Sequence, residues 1–266
     1  MSAETALQPD FDVVLDNRAW LRRTEPFPHI LACSVFSPAV YERLEAAYKE
    51  SLNAVLGRAY LENHDIHGTT LGPSDVDRFH PLLSRAWNDL IASVVGVAVT
   101  GHVLCGLHHH LVGSQDGFPH NDLNSGWFAG EPAGGSIELS APHVVDYTTG
   151  KALAEGPEPL ETVRAIAVIF YLANAPWSAG DGGVTGLYRR ATDVPHQPLL
   201  QVPPSNNTLL AFECTPLSYH GFISNRAHPR NSIIMWLHRS KADATTQWGD
   251  RAIVPYGLRP QARPKR

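Results

Sequence analysis

The chain has 266 residues, 43% of them hydrophobic, and a formal net charge of −5 at pH 7. That length fits one large all-β or α+β domain over residues 1–266, and the acidic balance excludes any general reason to bind nucleic acid. The sequence has no apolar run of the roughly 20 residues that cross a membrane, no signal-peptide pattern, and only three scattered cysteines, so we expect a cytoplasmic protein without membrane partners.

Residues 1–96 are predicted to form an N-terminal helical support. Ser37 and Pro38 provide an N-cap and a first-turn proline for one helix, and a second helix runs from about Pro81 to Val95. Glycine and small polar residues between them, from Gly68 to Ser74, predict a loop. The residues expected on the buried faces of the two helices are Val40, Leu44, Ala47 and Leu52, then Leu82, Leu83, Trp87, Leu90, Ile91 and Val94.

From residue 97 onward the pattern changes to short β-type runs separated by turn residues. Many short strands of this kind predict a β-sandwich or jelly roll at residues 97–240, followed by a C-terminal tail at 241–266. The predicted strands are Val103–Cys105, Leu107–Val112, Ile137–Leu139, Ala165–Leu172, Leu209–Phe212 and Ser232–Leu237.

The segment 123–164 is rich in glycine and acidic residues and predicts an insertion in the β core. Long loops of this kind are commonly lids or binding loops, although a passive solvated insertion is the alternative. Because the segment begins directly after Asp122, we expect it to act as a lid that sets substrate choice.

A metal site is predicted from His120, Asp122 and His220. The first two form a His-x-Asp motif, and on an extended chain residues i and i+2 point to the same side. Two imidazoles and one carboxylate on one face of an octahedron are the ligand set of non-haem iron(II) oxygenases. The three positions left open accommodate a bidentate 2-oxo acid and O2.

Arg230 follows His220 by ten residues and begins a predicted strand. On that strand Arg230, Ser232 and Trp236 share one face. A guanidinium and a hydroxyl on this face provide a site for the distal carboxylate of 2-oxoglutarate.

With these motifs the sequence resembles the prolyl-4-hydroxylase-like branch of the iron(II)/2-oxoglutarate oxygenases. The resemblance covers roughly residues 25 to 240 and is carried by blocks in the same order. These blocks are Phe27–Ile30, Phe118–Asp122, Ile169–Asn174, Trp177, Asp181–Gly183, Val202–Pro204, Thr208–Glu213, His220, Arg230 and Trp236.

The resemblance implies a double-stranded β-helix core with flanking helices, iron(II) on the His-Asp-His triad and 2-oxoglutarate on Arg230. It also implies that Tyr171 hydrogen-bonds the cosubstrate carboxylate. Because the carboxylate ligand Asp122 is present, hydroxylation is expected rather than halogenation. Two departures are the long separation of Asp122 from Tyr171 and the polar residue Thr185, which stands one place late in its motif.

Five further residues are candidates for substrate contact. His108 and His110 share one face of a predicted strand, where one of them could lie near the iron, although a merely structural strand is the alternative. Asn121, Asn124 and Trp127 flank the metal motif and could also contact substrate.

The sequence therefore predicts a dioxygenase that hydroxylates an unactivated C–H bond with Fe(II), 2-oxoglutarate and O2. The acidic insertion favours a small-molecule substrate, such as an amino acid or a natural-product intermediate. The alternatives are a protein side chain, as in prolyl hydroxylases, and a non-catalytic metal-binding β-barrel. The sequence gives no oligomeric state.

Overall fold

A computed structural model describes residues 9–56, 59–61 and 66–255. The last part of the predicted C-terminal tail, residues 256–266, lies outside the described residues. The described α-helices are α1 (Phe11–Val14), α2 (Pro38–Val55), α3 (Arg85–Val95) and α4 (Lys241–Trp248). The described strands are β1 (Leu21–Arg23), β2 (His29–Cys33), β3 (Ala59–Leu61), β4 (Ile66–Leu71), β5 (His102–His110), β6 (Asn124–Phe128), β7 (Glu138–Leu139), β8 (Leu160–Tyr171), β9 (Thr185–Leu187), β10 (Leu200–Val202), β11 (Thr208–Glu213), β12 (His220–Phe222), β13 (Arg230–Ser240) and β14 (Val254–Pro255).

These strands form two sheets. The main sheet has the order β1-β2-β11-β8-β13-β5-β4-β3, and the minor sheet has the order β10-β9-β12. An isolated antiparallel bridge between His120 and His220 extends the minor sheet towards the metal motif. This mainly β architecture confirms the predicted fold class, a double-stranded β-helix core with flanking helices. None of the helices in the described ranges is long and apolar enough to span a bilayer.

The two predicted N-terminal helices are confirmed, with one boundary shifted. Helix α2 begins at Pro38 after Ser37, and its four predicted apolar residues are buried. Helix α3 begins at Arg85 rather than Pro81, because the Ser84 side chain accepts the backbone N–H of Trp87 and caps the helix there. Both helices pack on the outer face of the main sheet and form its larger apolar core.

The loop predicted from Gly68 to Ser74 is wrong for its first half. Strand β4 occupies this position and pairs antiparallel with β5, with Gly68 opposite His108. A Cβ atom on Gly68 would lie 1.9 Å from the carbonyl oxygen of Leu107. The glycine therefore permits a close approach of two strands, whereas the sequence pattern suggested a break.

The chain on either side of the predicted β core also contributes to the sheets. Strand β2, from the predicted helical support, pairs with β11 inside the main sheet. At the other end, α4 and β14 replace the first part of the predicted tail, and β14 pairs in parallel with β6.

The predicted insertion 123–164 is fixed in the main sheet at both ends. Its first strand, β6, pairs antiparallel with the beginning of β8, so that Phe128 lies opposite Leu160. Strand β7, which the sequence predicted at nearly the same place, pairs with β5. The loop proper is therefore residues 129–159, and its action as a lid stays a prediction.

Strand β13 lies between β8 and β5 and carries most of the residues of interest. Its pairing with β8 shifts by one residue: Leu237 lies opposite Ile166, but His238 lies opposite Arg164. Ala165 is therefore the extra residue of a β-bulge. A bulge of this kind changes the face to which the following side chain points.

Candidate metal and cosubstrate site

The two histidines of the predicted triad are brought together by the chain itself. The backbone N–H of His120 donates to the carbonyl of His220 at 3.0 Å, and the reverse bond measures 2.8 Å. Residues paired in this way present their side chains next to each other. The two imidazole rings accordingly lie 4.4 Å apart, centroid to centroid.

Asp122 meets these rings through a turn rather than an extended strand. Its φ of 57° is in the left-handed region, which asparagine and aspartate tolerate better than most residues. The Asp122 carboxylate lies 3.7 Å from Nε2 of His120 and 3.4 Å from Nε2 of His220. The predicted neighbours therefore meet, but through a left-handed turn at Asp122 and not along an extended chain.

Both imidazoles present an unprotonated nitrogen to the centre of the triad. Nδ1 of His120 lies 2.9 Å from the carbonyl oxygen of Phe118, and Nδ1 of His220 lies 3.2 Å from that of Ser218. A carbonyl oxygen only accepts, so each Nδ1 carries a proton, and in the neutral form of each ring Nε2 keeps its lone pair. Desolvation and the neighbouring His220 lower the pKa of His120 to about 4, which favours the neutral ligand form.

Asp122 is held on both carboxylate oxygens. Oδ1 accepts from Nη1 of Arg164 at 3.0 Å, and Oδ2 accepts from the indole N–H of Trp236 at 2.7 Å. The Arg164 guanidinium also stacks 3.9 Å from the Trp236 ring. Burial alone would raise the pKa of Asp122, but the charge of Arg164 holds that pKa well below its usual range. The group is therefore a fixed, ionised carboxylate.

These donors suit a divalent transition metal. One ligand atom from each of His120, Asp122 and His220 lies within 4.8 Å of the other two. Two neutral imidazoles and one carboxylate form the facial set that iron(II) takes in non-haem oxygenases. The side chain of His120 is 39% exposed, so the triad is open towards solvent on this side.

A second polar cluster lies on the same face of the main sheet. Nη2 of Arg230 donates to Oγ1 of Thr185 at 3.1 Å, and the Tyr171 hydroxyl is 2.6 Å from the same oxygen. Nε of Arg230 and Oγ of Ser232 are buried and have no hydrogen-bond partner among the described residues. A buried guanidinium and hydroxyl with unused donors suit a carboxylate ligand, which fits the cosubstrate.

His108 and His110 lie on this face as well. Strand pairing places His110 opposite Arg230 and His108 opposite Ser232. The His110 ring stacks on Phe222 at 4.0 Å, and the His108 ring lies 6.3 Å from Trp236. The histidine between them, His109, points to the helical side.

The other three candidates have contacts of their own. The Asn121 side chain accepts the backbone N–H of Leu123, and the Asn124 side chain donates to the carbonyl of Val254. Trp127 packs over Gly150, where a Cβ atom would lie 2.4 Å from its ring. The structure does not bring these side chains together with the triad, and their contact with substrate stays a prediction.

Three residues at or beside the site were not among the sequence candidates. Arg164 contacts Asp122, and Thr185 contacts Arg230. Tyr147 in turn contacts Arg164. Thr185 had a signal, since it is the polar residue that follows the Gly182-Gly183 pair. Arg164 and Tyr147 had no such signal in the sequence. A β-bulge brings Arg164 to the site, and a long loop brings Tyr147.

One family model and two solved structures show similarity to this chain. The profile of the 2OG-Fe(II) oxygenase superfamily matches residues 142–238. A prolyl hydroxylase from Trichoplax adhaerens, solved in complex with a hypoxia inducible factor oxygen degradation domain peptide fragment, is 14% identical with a TM-score of 0.52, covering 82% of this chain and 86% of that one. A prolyl-4-hydroxylase from Pseudomonas putida is 16% identical with a TM-score of 0.49, covering 87% and 100%. A comparison with curated proteins found no match.

Residues 142–238 match the model of the 2OG-Fe(II) oxygenase superfamily, and the donor set of His120, Asp122 and His220 fits the Fe(II) that such enzymes use with 2-oxoglutarate and O2. Both findings support a 2-oxoglutarate-dependent dioxygenase. The fold is similar to that of the Trichoplax prolyl hydroxylase, which agrees with the predicted resemblance to the prolyl-4-hydroxylase-like branch. The predicted small-molecule partner is contradicted, because the similar Trichoplax enzyme was solved with a peptide.

Proposed function

We propose that this dioxygenase hydroxylates a side chain of a protein or peptide, in the manner of the prolyl hydroxylases. His120, Asp122 and His220 hold the iron(II), while Arg230, Ser232 and Tyr171 hold 2-oxoglutarate. The observation that carries the metal assignment is the convergence of two Nε2 lone pairs and one ionised carboxylate within 4.8 Å.

Iron(II), 2-oxoglutarate and O2 together supply the oxidative decarboxylation that places one oxygen atom in a C–H bond. The protein's own contribution is orientation. The backbone carbonyls of Phe118 and Ser218 fix the tautomers of the two histidines, and Arg164 and Trp236 fix both oxygens of Asp122. Arg230 binds the distal carboxylate of the cosubstrate in a buried environment, where a charge-assisted bond is strong.

Two observations support a polypeptide substrate. The fold is similar to that of the Trichoplax prolyl hydroxylase, which was solved with a bound peptide. The triad is also open at His120, and the exposed ring of Phe118 lies 5.5 Å from the His120 ring. An open site bordered by an exposed aromatic residue suits a chain that passes across the surface.

The proposal is tested by incubating the protein with Fe(II), 2-oxoglutarate and a library of peptides that vary one central residue. We expect a proline-centred peptide to gain the mass of one oxygen atom, with one succinate formed for each peptide hydroxylated. His120→Ala and Arg230→Leu serve as controls for the two halves of the site, and both should remove product.

Each outcome decides one part of the proposal. Hydroxylation of a different central residue keeps the polypeptide class and replaces the prolyl type. Succinate formation that no peptide or protein stimulates contradicts the polypeptide substrate. Full turnover in His120→Ala contradicts the metal assignment.

A further inference from the structure

Tyr147 connects the loop 129–159 to the metal carboxylate. Its hydroxyl lies 3.2 Å from Nε of Arg164, whose Nη1 binds Asp122. The Tyr147 side chain is buried, and its ring lies edge-on to Phe128 and to His238. A residue from the loop thus stands two hydrogen bonds away from the predicted metal ligand.

The hydrogen bonds around Tyr147 have one consistent set of donors. The Thr162 hydroxyl donates to the carbonyl of Gly126, so it must accept from Nδ1–H of His238, which lies 2.9 Å away. Nε2 of His238 then keeps its lone pair and accepts the Tyr147 O–H at 3.1 Å. The Tyr147 oxygen then accepts from Nε–H of Arg164. Every hydrogen bond in the series from Arg164 to the carbonyl of Gly126 therefore has one donor and one acceptor.

The backbone is shaped to admit this tyrosine. The bulge at Ala165 places Arg164 on the inner face of the sheet, opposite His238. A Cβ atom on Gly126 would lie 2.3 Å from the Tyr147 ring, so only glycine leaves room for the ring at that position. The carbonyl of Tyr147 accepts the N–H of Trp127 at 3.0 Å.

A tight turn after Tyr147 holds the residue in place. The partly exposed Asp146 side chain accepts the N–H groups of Thr148 and Thr149, and the backbone of Gly150 donates to the carbonyl of Asp146. A bridge between Val145 and Ala152 closes the base of the turn. Hydrogen bonds within residues 145–152 therefore hold the part of the loop that contains Tyr147.

We propose that Tyr147 is a positioning residue for the metal site, acting through Arg164 to fix the Asp122 carboxylate. The inference rests on the proposed function for the identity of Asp122 as a ligand. It assigns to the loop 129–159 a role in building the metal site, separate from the substrate-selecting lid predicted from the sequence.

Removal of the Tyr147 hydroxyl leaves the ring in place but takes away the acceptor for Nε of Arg164. The guanidinium then has one fixed contact fewer and can turn relative to Asp122. Outer partners of metal ligands typically contribute about 10- to 100-fold to metal affinity, and Tyr147 stands one step further out. We therefore expect Tyr147→Phe to weaken metal binding about three- to tenfold.

The experiment measures the dissociation constant of Mn²⁺ alone with the purified full-length protein, well below its melting temperature. Mn²⁺ is stable to air and is detected free in solution by its electron paramagnetic resonance signal. Tyr41→Phe is the matched control: it also removes a hydrogen-bonded hydroxyl, one that contacts Glu45 and the N–H of Ala173 on the helical side. The Tyr41→Phe protein should bind Mn²⁺ like the wild type, even where both variants lose thermal stability.

Two more measurements separate positioning from a general loss of structure. The KM for 2-oxoglutarate should stay within twofold in Tyr147→Phe, because Arg230 and Thr185 are untouched. In an Arg164→Lys background, the same Tyr147 change should have little further effect on Mn²⁺ affinity, since residues that act in series are not additive. The visible spectrum of bound Co²⁺ should differ from wild type in Tyr147→Phe and not in Tyr41→Phe.

The outcomes distinguish the inference from the proposed function. Unchanged Mn²⁺ affinity in Tyr147→Phe, or an undiminished effect in the Arg164→Lys background, overturns the inference and leaves the metal site intact. If the His120→Ala variant binds Mn²⁺ with wild-type affinity, the proposed function is overturned as well. Should Tyr147→Phe fail to fold, Asp146→Ala decides between the outcomes. This change at a partly exposed residue loosens the same turn and should weaken Mn²⁺ binding about twofold, whereas unchanged binding contradicts the inference.

Discussion

The two faces of the main sheet use the same strands for different purposes. On strand β13, Ile233, Met235 and Leu237 point outward into the core formed with α2 and α3. The intervening residues Ser232 and Trp236 point inward, where Ser232 lies opposite Tyr171 and Trp236 donates to Asp122 of the triad. Burial of apolar side chains on the outer face stabilises the fold. Burial of polar groups on the inner face costs free energy and offsets part of that stabilisation. Successive residues of one strand therefore alternate between the candidate site and the apolar core that supports it.

The largest effect should come from a change on the inner face. His220→Ala should reduce 2-oxoglutarate turnover at least about 1,000-fold. Loss of a residue that only orients a metal ligand costs about 10- to 100-fold, and loss of a ligand itself should cost more. The melting temperature of the metal-free protein should stay close to that of the wild type. His196→Ala, which changes an exposed histidine, is the control. Substantial turnover in His220→Ala would remove this histidine from the site.

A matching change on the outer face should act on stability instead. Phe170 is fully buried and lies 5.2 Å from Phe36, ring to ring. Phe170→Ala should lower the free energy of unfolding by about 3–4 kcal/mol, measured by urea denaturation. The molecules that remain folded should bind Mn²⁺ with wild-type affinity. A large loss of Mn²⁺ affinity in this variant would show that the two faces are not separable.

The third prediction concerns Arg230, which is buried beside Thr185 and Tyr171. Arg230→Leu should raise the KM for 2-oxoglutarate by roughly 30- to 150-fold, the equivalent of about 2–3 kcal/mol for a buried charge-assisted contact. Arg230→Lys should fall between leucine and wild type, because lysine keeps the charge and loses the planar fork. Ile233→Val, on the outer face, provides the control. A normal KM in Arg230→Leu would place the distal carboxylate elsewhere.

The smallest effect is a pH dependence of the metal-free protein. Burial, then the charge of Arg164, holds the pKa of His238 well below its ordinary value of 6.5. Below pH 6.5 the unfolded chain takes up a proton at His238 that the folded chain does not, so stability falls as the pH falls. The slope for one such histidine is about 1.4 kcal/mol per pH unit.

Urea denaturation at pH 7, 6 and 5 in the presence of a chelator measures this slope. His102, which is also buried, has its pKa lowered mainly by desolvation and contributes in the same direction. A free energy of unfolding that stays constant from pH 7 to pH 5 would contradict a neutral, buried His238. The outer face carries mostly apolar side chains and should contribute little to the dependence.

Much of the site could be predicted because its residues obey local rules. The alternation of Arg230 and Ser232 on one strand could be predicted from the sequence. The His120-x-Asp122 motif also identified the right residues, although a turn at Asp122 and not an extended strand brings them together. Helix α2 was readable for a similar reason, since Ser37-Pro38 and a periodic apolar face mark it. The same rules failed at Gly68, where glycine marks a close contact between strands instead of a loop.

Arg164 shows why the remainder could not be predicted. Counting by alternate residues along β8 places Arg164 on the face of Val168 and Phe170, which is the outer one. The bulge at Ala165 reverses that count, and it follows from the pairing with β13. Tyr147 reaches the site from a long loop whose path depends on contacts distant in sequence. Neither position has a local signature.

The bridge between His120 and His220 has a consequence for the chain as a polymer. The two residues are roughly 100 positions apart, and an ion held by both imidazoles would act as a reversible cross-link that closes this long loop. Because such an ion binds the folded chain in preference to the unfolded one, it would add about 2.7 kcal/mol of stability at a free concentration one hundred times its dissociation constant. Molecules that lose their ion would therefore be the first to unfold and to meet proteases, so iron supply would act on how long each molecule survives.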